Sequence, residues 1–99
     1  MRYEQHIDLL VRQIFKMLPM MEDMNNGQDV HLGDHIESVC IEATGGFLTF
    51  PELYEDTSYV RVVNTLHYLH GHWETISWPS YRREVLKMLR FLKEVGKHG

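Results

Sequence analysis

Apolar residues recur along the chain at helical spacing, and the longest such window is SYVRVVNTLHYLHGHW, residues 58–73. Tyr59, Val62, Val63, Leu66, Leu69, His70 and Trp73 step by three and four, which places them on one side of a helix. That side requires burial. Val60 and Tyr68 widen the stripe, so this is read as a central helix packed on more than one flank. The β-branched Val60, Val62 and Val63 keep a strand reading open. The 3.6-residue period running on to Trp73 opposes it.

Two further segments carry the same signal. Tyr3, Ile7, Leu10, Ile14, Met17, Met21 and Met24 alternate steps of four and three, the seam of a bundle helix. Pro19 removes a backbone donor and clashes one turn back, which predicts a stop near Leu18 or a kink. At the other end Trp78, Tyr81, Val85, Met88, Leu92 and Val95 form a matching seam, with Ser77 as cap, Pro79 in the first turn and Gly96 as stop. Between the first seam and the central window, Asp34 and Glu37 are spaced as a capping box, followed by Ile36, Val39, Cys40 and Ala43 facing inward. Gly45 and Gly46 are expected to close that helix; a start at Asp29 would place Gly33 inside it at about 1 kcal/mol relative to alanine, and both starts stay open. Thr49, Pro51 and Glu52 signal a second start, and Asp56 to Ser58 a fresh cap. Gly71 is expected to end the central helix.

These elements predict an all-α fold, an antiparallel four-helix bundle with an extra short helix around residues 50–56. The 99 residues suffice for one helical domain, 1–99, and leave no room for a second.

Composition changes the picture at a few points. A lone Cys40 excludes an internal disulfide and suggests a reducing compartment. No apolar run approaches the ~20 residues that a bilayer span needs, and the opening MRYEQHIDLL lacks the pattern of a secretory leader, so a cytoplasmic location is expected. The net charge of −4 is unevenly spread. From Leu18 to Val60 there is no Lys or Arg among nine acids, whereas Arg82, Arg83, Lys87, Arg90, Lys93 and Lys97 follow later. The simplest arrangement lays the acidic second helix against the basic last one. Self-association head to tail, or a charged partner, is the other use of such asymmetry. Nucleic acid is disfavoured by the overall negative charge.

Candidate chemistry is sparse. His67, His70 and His72, with His31 and His35, are metal-ligand types, yet no HExxH or ExxH motif is present and one cysteine makes no thiolate cluster. Arg61 and His67, five residues apart in between, are similar to the Arg/His signature of HEPN-type helical ribonucleases, a resemblance that implies an RNA-cleaving dimer. Val62 stands where that family has a polar residue, and six steps turn a straight helix by about 240°, away from a shared face. Cys40, buried on an acidic helix, is a poor nucleophile.

No catalytic residues, metal or cofactor are therefore assigned. Abundant aromatics and methionines suit an interface, and Met17, Met20, Met21 and Met24, clustered around the Pro19 break, are either core filling or a partner-binding surface. The expected function is a small helical interaction or regulatory protein that binds a protein partner or itself, as a homodimer. The alternatives are a histidine-based metal-binding or RNA-cleaving enzyme and an acidic inhibitor or immunity-type protein.

Overall fold

The first helix ends one turn before its proline. In a computed structural model describing residues 2–97, α1 (Glu4–Phe15) gives way at Lys16 to α2 (Met17–Asn25), which carries Pro19 in its first turn, where a missing N–H is tolerated. The chain then forms α3 (Leu32–Thr49), a 3₁₀ turn (Pro51–Glu55), α4 (Thr57–His72) and α5 (Trp78–Glu94). No strand occurs among the described residues.

The helices pack as a four-membered ring. The α1–α2 arm touches α3 and α5, and α4 touches the same two, while α1 and α4 face each other diagonally, as do α3 and α5. Side-chain contacts fix the directions. His35, early in α3, bonds the carbonyl of Gln13, late in α1, at 2.8 Å, and Tyr81, early in α5, donates to the carbonyl of Met17 at 2.8 Å. Neighbours therefore run antiparallel. The core between them holds Leu10, Ile14, Met17, Ile36, Leu53, Tyr59, Leu66, Tyr81 and Met88 with no accessible surface.

Several boundaries depart from the sequence reading. Helix α3 starts at Leu32 rather than Asp34, after His31 in the left-handed region at φ 52°, and Gly33 lies within its first turn. The indole of Trp73 packs so closely there that a Cβ would stand 2.9 Å from Cζ2. Gly45 and Gly46 do not end α3, which continues to Thr49, so Thr49 caps nothing. Gly46 is inside because the Tyr59 hydroxyl and His6 Nε2 occupy the place of its side chain. Gly71 also remains helical, with His72 the last residue of α4. The expected caps at the other starts are present: Asp56 accepts the Tyr59 N–H at 3.1 Å, and Ser77 that of Ser80 at 3.4 Å.

The charged helices do not meet. Because α3 and α5 are diagonal, the acidic second helix does not lie on the basic last helix, and among the described residues no ion pair joins them.

Candidate functional site

Along α3 the buried stripe faces α1, α2 and α4, and a second stripe is left outside. Asp34, Glu37, Ile41, Thr44, Gly45 and Leu48 follow one another by three and four, so they share one face. Ile41 is 66% exposed and Leu48 82%, and with Tyr54 at 62% they form one grouped apolar patch. Between them a Cβ at Gly45 would meet nothing within 4 Å, so the α3 backbone is bare at that point. Tyr54, held against Phe47 by ring stacking at 4.2 Å, forms one end wall, and His67 and His70 of α4 form the long wall. The result is an open apolar groove of about 580 Å³, with the buried Cys40 at its floor and the exposed Glu37 along it.

Cys40 is 5% exposed, and burial, with the nearby Glu37 charge, pushes its thiol from 9.0 up to about 11, away from the thiolate that a nucleophile needs. His67 Nε2 is hydrogen-bonded to Thr44 Oγ1 at 3.2 Å. His70 is exposed rather than part of the buried stripe, because α4 buries only Tyr59, Val62, Val63, Leu66 and Leu69 of that set.

The remaining sequence candidates are dispersed. Arg61 leans the other way from His67, its guanidinium 5.5 Å from the Phe91 ring centre on α5, so the ribonuclease-like pair is split between two flanks of α4. His72 stacks on Tyr68 and bonds its carbonyl at 2.8 Å, and His35 is committed to Gln13. Among the described residues no three His, Cys, Asp or Glu side chains converge as a metal site.

No family model, curated protein or solved structure matches the chain.

The methionines divide by depth. Met17 and Met21 are 0% and 3% exposed and fill the joint between α1 and α2, whereas Met20 and Met24 are half-buried against the same core. Two of the four thus have no surface to offer a partner. The sequence reading did not find Ile41, Leu48 and Tyr54; the signal was the second apolar line on a helix whose first line already satisfied the core.

Two further features bear on the surface. His6 Nε2 lies 2.8 Å from the Tyr59 hydroxyl, which itself donates to the Ala43 carbonyl at 2.6 Å. His6 therefore carries its proton on Nε2 and donates it. Burial lowers its basicity, partly offset by Glu42. On the opposite side of the bundle α5 shows Leu86 and Leu89 set among Arg82, Arg83, Arg90 and Lys93, which line a shallow depression. Among the described residues no helix is long and apolar enough to cross a membrane.

Proposed function

We propose that this protein is a non-catalytic binding module of the cytoplasm that works by receiving a protein helix in the α3 groove. The observation that carries this reading is the exposure of Ile41 and Leu48 at 66% and 82% on either side of a bare glycine. Exposed apolar side chains grouped around a groove favour association, since covering them releases about 25 cal/mol per Å² of apolar area. A small residue at the centre lets a partner helix approach closely. The suppressed Cys40 thiol and the separation of Arg61 from His67 favour binding over catalysis.

The test is affinity purification from the source cells, comparing wild-type protein with a Gly45→Gln/Leu48→Gln variant. A protein, self or other, retained by the wild type and lost by the variant is the expected result. Retention of the same set by both overturns the reading. Turnover of RNA by the purified chain, lost on His67→Ala, would overturn the non-catalytic part.

A further inference from the structure

Resting on that reading of the groove, we propose that its occupant is α5 of a second copy of this chain, so that the protein assembles head to tail. The α3 face and the α5 face are complementary over their central turns. On α3 the outer line reads Asp34, Glu37, Ile41, Thr44 with Gly45, Leu48; on α5 it reads Arg82 with Arg83, Leu86, Leu89 with Arg90, Lys93. Both lines advance by the same threes and fours. Laid antiparallel, Lys93 and Arg90 come opposite Glu37, Leu89 opposite Ile41, and Leu86 opposite the gap at Thr44 and Gly45. Leu86 then enters the gap and the two cations meet Glu37, while Leu89 and Ile41 make an apolar contact and the aliphatic stem of Arg82 crosses Leu48.

The fold leaves both faces free for this. Helices α3 and α5 are diagonal, and among the described residues no ion pair joins them, so neither charge surplus is answered internally by the other. Of these α5 cations, Arg82, Arg83, Arg90 and Lys93 are all exposed, as are Asp34 and Glu37 on α3. The acidic surplus extends beyond α3, since Leu18 to Val60 contains no cation. A partner for that surface must bring positive charge together with a leucine ridge, and α5 brings both.

The contact joins two different surfaces. Each copy offers both, so assembly proceeds until a ring closes or continues as a filament. This differs from a symmetric dimer through α3, which would leave α5 unused and would set Glu37 near no cation of α5.

Sedimentation velocity on the purified full chain tests the proposal. At 0.1 M salt and up to several hundred micromolar protein, the mean mass should rise with concentration. It should return to monomer at 1 M salt, where the screening length falls from about 10 to about 3 Å. Gly45→Gln/Leu48→Gln blocks the groove, and Arg90→Glu/Lys93→Glu reverses the ridge; all four positions are at the surface, and circular dichroism checks that each variant folds. Each alone should be monomeric. Their mixture should form a one-to-one dimer and nothing larger, because one intact groove and one intact α5 remain. A wild-type chain that stays monomeric overturns the proposal. So does self-association lost in the groove variant but kept in the α5 variant. In either case groove-dependent capture of a different protein would leave the binding-module reading standing.

Discussion

Asp56 binds Gly96 across forty residues of chain: its Oδ2 accepts the Gly96 backbone N–H at 2.9 Å, while Oδ1 accepts the Tyr59 N–H at the start of α4. One buried carboxylate thus caps α4 and anchors the turn that ends α5, where Gly96 is in the left-handed region at φ 81°. Losing a cap costs about 1 kcal/mol, and up to about 3 kcal/mol where the orphaned donor is buried, as the Tyr59 N–H is, while the N–H of exposed Gly96 can turn to water. Asp56→Ala is expected to lower stability by about 2 kcal/mol. Asp56→Asn, which keeps one acceptor oxygen, is expected to cost less. The check is urea unfolding: the midpoint should fall in that order with an unchanged slope.

Adjacent glycines on α3 should respond oppositely to alanine. At Gly46 the new methyl group collides with the Tyr59 hydroxyl and His6 Nε2, and Tyr59 has no accessible surface through which to withdraw. Overpacking of this kind costs about 1–3 kcal/mol. At Gly45 the methyl group meets nothing, and alanine gains about 0.5–1 kcal/mol over glycine inside a helix. Thermal melts should move down for Gly46→Ala and up for Gly45→Ala. A downward shift for both would mean that α3 does not tolerate the change at either position for a reason of backbone rather than packing.

The glycines also explain what the sequence concealed. The seams of α1 and α5 are legible because Ile7, Leu10, Ile14 and Tyr81, Val85, Met88 each repeat at one helical period, and all six are buried. The C-terminal end of α3 is hidden because Gly46 looks like a local stop, and its start stays open because Gly33 counts against an earlier one. Their reason for being glycine lies elsewhere in the chain, in the indole of Trp73 and the hydroxyl of Tyr59. The groove was hidden by the same logic. Ile41 and Leu48 are of core type, and only the position of α4, with His67 and His70 beside them, decides that they are outside. The charge asymmetry was visible, but the diagonal placement of α3 and α5, which leaves it unanswered, belongs to the ring order.

Cys40 offers a measure of how closed the groove floor is. With its thiol pushed from 9.0 up to about 11, the thiolate fraction near neutral pH is about 100-fold below that of an ordinary cysteine, and 5% exposure slows access further. Reaction with a thiol reagent at pH 7.5 is expected to be at least about 100-fold slower for the native chain than for the chain in urea. A native rate equal to the unfolded rate would place the sulfur in solvent and open the floor of the groove.

The hydrogen bond from His6 to Tyr59 makes stability depend on pH in a definite direction. Burial disfavours the imidazolium, so the folded chain binds this proton less readily than the unfolded chain, whose imidazole has the ordinary value of 6.5. Between the lowered folded value and 6.5 the unfolded state holds more protons, and stability rises with pH there. The contribution is complete above that window, declines as pH falls through 6.5, and levels off once His6 is charged in the folded state too. Protonation keeps the Nε2–H donor, so the cost comes from the buried charge and not from a broken bond. Unfolding midpoints in urea should therefore be lower at pH 5.5 than at pH 7.5, and His6→Gln, which lacks the titrating group, should narrow that difference. An equal drop in both proteins would remove His6 as its source.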